Sequence, residues 1–124
     1  MCIRDRFGVE RETREPAAMM LRVAETHVRF GSFEGFYHRG EPENVRALAD
    51  YVIARHSPEI PRQAEEGYGL FLSATAEKTA STIAKWQAFG FTHGVMNTDN
   101  MSVTGLTIDY GPYGFLETFD RDHA

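Results

Sequence analysis

Apolar and polar positions alternate along this chain in a way that predicts two helices and little else that is regular. In "EPENVRALADYVIARHS", Val45, Leu48, Ala49, Val52 and Ile53 recur at helical spacing, so one face is apolar over about Glu43–His56. Pro58 follows as a stop. A second helix is expected across "SATAEKTASTIAKWQAFG", with Ser73 as N-cap, Glu77 in the first turn and Gly90 at the end. The run "AAMMLRVA" at 17–24 is apolar with one Arg, and reads as a buried strand or a short helix. The aromatic-rich stretch "THVRFGSFEGFYHRG" is broken by glycines, and "PEIPRQAEEGYG" reads as a polar loop. A short strand is expected near Val103–Ile108, followed by a turn at "DYGPYG". No repeat or low-complexity segment interrupts this order. The expected fold class is α+β, with a thin core for its length. Residues 1–6, "MCIRDR", lack turn or cap logic and read as a non-native leader, so Cys2 is given no role.

Composition narrows the picture. At 124 residues the chain suits one domain, and its 42% hydrophobic and 25% charged content is that of an ordinary globular protein. The formal net charge of -5 argues against broad electrostatic attraction to nucleic acid. No apolar run approaches the roughly 20 residues that span a bilayer. No apolar leader follows the start, so no membrane partner and a cytoplasmic setting are the default expectations. With one cysteine there is no internal disulfide and no thiolate metal site.

The chemistry concentrates in "HGVMNTDNMSVTGLTIDYGPYGF". Asn97, Asp99 and Asn100 crowd one loop, and Asp109 follows nine positions after Asn100. That separation allows a turn and one strand, so the chain can return and bring Asp109 beside Asn100. A carboxylate and an amide oxygen meeting this way form a hard-oxygen site suited to Mg²⁺, which usually shares its shell with substrate phosphates. The protein-kinase pattern H-R-D-L-x-x-x-N followed by D-F-G has the same layout. His93 precedes Asn100 by seven positions, and Asp109-Tyr110-Gly111 stands in for D-F-G. The kinase base position, two after the His, is Val95, which takes no proton; the nearest replacement is Asp99. The bland readings are that the Asn-rich loop only satisfies turns, that His93 orients the loop, and that Tyr110, Tyr113 and Phe115 pack. Arg22 lies in an apolar run where an unpaired charge is costly. An anionic ligand would resolve that cost, and so would an ion pair with Glu25 or Glu34.

The segment "FTHGVMNTDNMSVTGLTIDYGPYGF" resembles the signature of the SelO family (selenoprotein O, also called YdiU or UPF0061). Upstream, "MMLRVAETHVRFGSFEGF" is similar to the same family's Arg-containing segment, in the right order. The resemblance implies a protein-kinase-like fold and a protein adenylyltransferase, which moves AMP from ATP to Ser, Thr or Tyr hydroxyls of protein substrates. It implies that Asp99 is the proton acceptor. It further implies that Asn100 and Asp109 hold Mg²⁺ or Mn²⁺, with Asp109 also near the nucleotide, and that Arg22 and Arg29 contact its phosphates. The family's Gly-rich segment, Lys and Glu ahead of the first motif have no counterpart here, nor has its long C-terminal portion. Residues 7–124 are therefore expected to be a partial domain, inactive alone. A kinase-like phosphotransferase or a non-catalytic nucleotide-binding module remains the alternative.

Overall fold

The computed structural model describes residues 7–10, 14–17, 21–62 and 64–118; the leader at 1–6 lies outside them. The fold is α+β, with three helices and two small antiparallel ladders among the described residues. Strands β1 (Phe7–Glu10) and β2 (Arg14–Ala17) pair in the register Phe7↔Ala17 to Glu10↔Arg14. The expected buried strand or helix at 17–24 is corrected: residues 21–24 are irregular, with Leu21 63% and Val23 81% exposed, and 18–20 lie outside the described residues.

Helix α1 (Phe30–His38) falls where glycines suggested breaks. Gly31 and Gly35 cost helix propensity, but Gly31 sits where a Cβ would stand 3.3 Å from the Thr98 carbonyl oxygen. The glycine serves close approach rather than a turn. The helix ends on Gly40, whose φ of 71° is the left-handed conformation of a glycine C-cap. There Glu41 N–H donates to the Phe36 carbonyl at 3.0 Å, and Gly40 N–H to that of Tyr37 at 2.9 Å. Pro42 then opens α2 (Pro42–His56) with its fixed φ and no N–H to satisfy.

The predicted face of α2 is the buried one. Ala49, Val52 and Ile53 are core residues, with Val45 and Leu48 half-buried. Ile60 and the segment's later apolar residues Met101, Val103 and Ile108 complete the core. Helix α3 runs Glu65–Ala88, so it starts well before the predicted Ser73, and Ser73 and Glu77 are interior. Its N-cap is Ala64, and Glu65 and Glu66 supply the acidic first turn that favours the helix dipole. The polar loop read from "PEIPRQAEEGYG" is correspondingly shorter. Gly90, with φ 64°, ends the helix as expected.

Strands β3 (Phe91–Thr92) and β4 (Gly114–Phe115) pair antiparallel, Phe91↔Phe115 and Thr92↔Gly114. Leu116 N–H adds a bond to the Gly90 carbonyl at 2.8 Å. Everything between is one closed excursion. In place of a strand at Val103–Ile108, it holds a tight turn. Met101 bridges Thr107, Ser102 N–H donates to the Leu106 carbonyl at 2.8 Å, and Gly105 turns at φ 84°. The strand is corrected because the turn docks directly on α3. The Thr82 hydroxyl donates to the Gly105 carbonyl at 2.8 Å, and a Cβ on Gly105 would stand 3.0 Å from the Lys78 carbonyl oxygen. No helix among the described residues is long and apolar enough to cross a membrane.

Two glycines of α3 make opposite predictions. A Cβ on Gly67 would meet the Pro61 carbonyl oxygen at 1.8 Å, whereas one on Gly69 meets nothing within 4 Å. Gly67→Ala should destabilise by about 1–3 kcal/mol or more. Gly69→Ala should be neutral or stabilise by up to about 1 kcal/mol through helix propensity. Denaturant unfolding of the two variants distinguishes them, and equal effects would mean that α3 does not pack on Pro61.

Candidate active site

The closed excursion from His93 to Tyr113 is folded on itself by Asn100. Asn100 is 9% exposed, and its main-chain carbonyl receives two N–H groups, from Ile108 at 2.7 Å and from Asp109 at 3.3 Å. Its side-chain Nδ2 donates to the Val95 carbonyl at 2.8 Å. That bond assigns the amide's orientation: nitrogen toward Val95, leaving Oδ1 as the acceptor end. Asn100 N–H closes the Asn97–Asn100 turn on the Asn97 carbonyl at 3.0 Å. The structure thus brings Asn100 and Asp109 together, as their spacing suggested. The Asp109 side chain is exposed, with one oxygen accepting Tyr110 N–H at 2.9 Å.

His93 holds the same two segments from behind. It is 3% exposed, and Val95 N–H donates to its Nδ1 at 3.2 Å. Nδ1 is therefore bare and the ring proton sits on Nε2, which donates to the Asp109 carbonyl at 2.7 Å. The ring stacks on Trp86 at 5.4 Å and packs against Tyr110 at 5.5 Å. Phe91 anchors the cluster, with Trp86, Tyr110, Tyr113 and Phe115 all within 6 Å centroid distance. His93 orients the loop and Tyr110 packs, as their bland readings had it. Val95 fills the space beside Gly111, where a Cβ would lie 2.9 Å from a Val95 methyl. Gly94, at φ 82°, passes as closely over the Pro112 carbonyl, 3.0 Å from its would-be Cβ.

Two arginines approach from the N-terminal side. The Arg22 guanidinium donates to the Thr107 carbonyl at 2.8 Å and lies 6.0 Å over the Tyr110 ring. It is exposed and pairs with neither carboxylate considered for it. Glu25 faces His56 at 3.3 Å, and Glu34 is bonded to Thr98 and His38. Arg29 is half-buried at the N-cap of α1 and bridges Ser102, two residues past Asn100.

Asp99 is exposed, and among the described residues no hydrogen bond or ion pair holds its carboxylate. Its place is set through its neighbours. The Thr98 carbonyl accepts Gly31 N–H at 2.8 Å, and the Thr98 hydroxyl donates to the Glu34 carboxylate at 2.5 Å. That hydroxyl, ahead of the nearby His38, holds the Glu34 carboxyl below its ordinary range. Nothing in the spacing of the sequence points to this contact.

The donor set suits a hard cation only in part. Among the described residues no three His, Cys, Asp or Glu side chains cluster to hold a metal alone. One amide oxygen and one carboxylate match an ion that completes its shell with water and phosphate. An open groove of about 370 Å³ is lined by Ile83, Trp86, Gln87, Phe91, His93 and Met96 among others. Of the residues the sequence singled out, His93 lines it, whereas Arg22, Arg29, Asp99, Asn100 and Asp109 do not.

Comparison with known proteins adds what the geometry leaves open. The family model described as protein adenylyltransferase SelO matches residues 4–124. This chain belongs to the SelO family. It is 60% identical over 114 residues to the protein nucleotidyltransferase YdiU of Pectobacterium atrosepticum, covering 92% of this chain and 23% of that protein. To the protein of the same name from Klebsiella pneumoniae strain 342 it is 59% identical, with 92% and 24% covered. To that from Pseudomonas putida it is 55% identical, with 92% and 23% covered. The chain spans about a quarter of the length of these SelO relatives.

The double tie through His93 is testable. His93→Phe keeps a ring of similar shape against Trp86 and Tyr110 but leaves Val95 N–H and the Asp109 carbonyl without their partner. The full-length variant should lose about 1–3 kcal/mol, and amide exchange at Val95 should quicken. Unchanged stability and exchange would show that the imidazole acts only by packing.

Proposed function

We propose that this chain supplies the proton-accepting and metal-holding part of a protein adenylyltransferase with a protein-kinase-like fold. The single observation that carries the reading is the meeting of Asn100 and Asp109, tied through the Asn100 carbonyl, inside a motif of the SelO family. The relatives' names speak of protein nucleotidyl transfer, which requires a nucleotide and a protein acceptor. ATP is the nucleotide donor in this reading.

The residues fit the task as follows. The Asn100 amide, held by Val95, has Oδ1 as its acceptor end, and Asp109, whose N–H meets the Asn100 carbonyl, carries an exposed carboxylate. These two would hold Mg²⁺ or Mn²⁺, which when bound supplies positive charge to the phosphates. Arg22 and Arg29 would hold phosphate oxygens through their forked donors. Arg22 has capacity for this, since its one bond to Thr107 leaves four of the five guanidinium N–H groups. Asp99, exposed and free of partners among the described residues, accepts the proton of a protein hydroxyl. The hydroxyl oxygen then bonds to the α-phosphorus, the bond from that phosphorus to the bridging oxygen breaks, and pyrophosphate leaves. A kinase-like transfer of the γ-phosphoryl group lacks support at Val95, whose side chain packs on Gly111.

The test uses the full-length protein with ATP labelled at either end. α-Labelled ATP should label protein and γ-labelled ATP should not, with Asp109→Ala removing the metal-dependent transfer. Label from the γ position alone would replace this reading with a phosphotransferase.

A further inference from the structure

Asp99 poses a positioning problem. A proton acceptor must lie within hydrogen-bond reach of the acceptor hydroxyl, yet nothing among the described residues holds its carboxylate. Its main chain is fixed from both sides instead. On the C-terminal side stands Asn100, buried and bonded to Val95, Ile108 and Asp109. On the N-terminal side stands Thr98, exposed and, among the described residues, held only by α1. One hold is main chain to main chain, Gly31 N–H to the Thr98 carbonyl at 2.8 Å. The other is the Thr98 hydroxyl to Glu34, one turn further along the same helix. The second Glu34 oxygen faces His38 at 3.5 Å, the next turn on.

We propose that Glu34 and Thr98 form a latch that positions Asp99 for proton transfer, so that both are positioning residues for the reaction. This rests on the reading of Asp99 given above. The Gly31 bond alone fixes one point of the loop and leaves rotation about it; the Glu34 bond fixes a second point on the same residue. Two points on a rigid helix define an orientation, which is what an unheld carboxylate needs. The proposed metal-holding pair makes no direct hydrogen bond with Glu34 or Thr98 among the described residues. Asn100 and Asp109 are tied to each other and Asp109 to His93, and the adjoining tie to α1 runs through Phe30 N–H and the Met101 carbonyl, which the latch substitutions leave in place. Loss of the latch should therefore disturb proton transfer while leaving nucleotide binding in place.

The experiment is a double-mutant cycle in the full-length protein, read in transfer kinetics and in amide exchange. Glu34→Ala and Thr98→Val should each lower kcat by about ten- to a hundredfold, with KM for ATP changed by no more than about twofold. The double variant should be no slower than the worse single one, because both substitutions break one contact. Glu34→Gln, which keeps an acceptor oxygen at that position, and Thr98→Ser, which keeps the hydroxyl, should restore most of the rate. The Gly31 amide, which donates to the Thr98 carbonyl, should exchange faster in Glu34→Ala and Thr98→Val, and near the unsubstituted rate in the two conservative variants. Three results would each overturn the latch: a normal kcat in Glu34→Ala, a raised KM with kcat intact, or losses that multiply in the double variant. If the unsubstituted protein transferred no AMP, the proposed function would fall. Exchange at Gly31 would then decide the latch by itself, and unaltered exchange in Glu34→Ala would refute it.

Discussion

The arrangement depends on one residue whose three polar groups face three ways. The Asn100 carbonyl collects the N–H groups of Ile108 and Asp109, its amide nitrogen reaches Val95, and its N–H closes the turn back to Asn97. A buried backbone carbonyl left unpaired is costly, and so is a buried amide. Satisfying all of them at once leaves the loop few other conformations. The return of the chain to Asn100 is what brings the Asp109 main chain against the Asn100 carbonyl.

The rest of the fold supports that junction from three directions. Behind it, His93 spans the same two segments, and the Trp86 and Phe91 rings fix the His93 ring in its plane. Below, the β3–β4 ladder closes the excursion at its neck, and the Gly105 turn docks on α3. To the side, Arg29 and Phe30 pair with Ser102 and Met101, which brings α1 against Thr98. The glycines mark these contacts. Gly31, Gly94, Gly105 and Gly111 each sit where a Cβ would meet a neighbouring segment at 3.3 Å or less.

How much of this was legible in the sequence follows from what each feature depends on. The buried face of α2 was legible because Ala49, Val52 and Ile53 repeat with the helix period, a local property. Helix α1 was not, because Gly31 and Gly35 are local helix breakers and Gly31 sits at a contact across the fold, and the early start of α3 was hidden by Gly67 in the same way. The approach of Asp109 to Asn100 was legible because the separation between them permits little besides a turn and return. The partner of Arg22 was not, since a main-chain carbonyl carries no side-chain signature, and Thr107 supplies one. The Thr98–Glu34 contact spans 64 positions and joins two polar residues that each look like ordinary surface.

In the proposed function Asn100 is a fold-closing amide and a cation-facing oxygen at once, and Asn100→Asp separates the two roles. A carboxylate is at least as good a hard-cation ligand as an amide, but it cannot donate to the Val95 carbonyl and would oppose it with a second acceptor. The decisive measurement is Mn²⁺ affinity, in the presence of ATP, of the full-length protein and its Asn100→Asp variant, alongside amide exchange at Ile108 and Asp109. The account predicts weaker Mn²⁺ binding and faster exchange in the variant. Equal or tighter binding with unaltered exchange would contradict it and reduce Asn100 to a ligand that any carboxylate can replace.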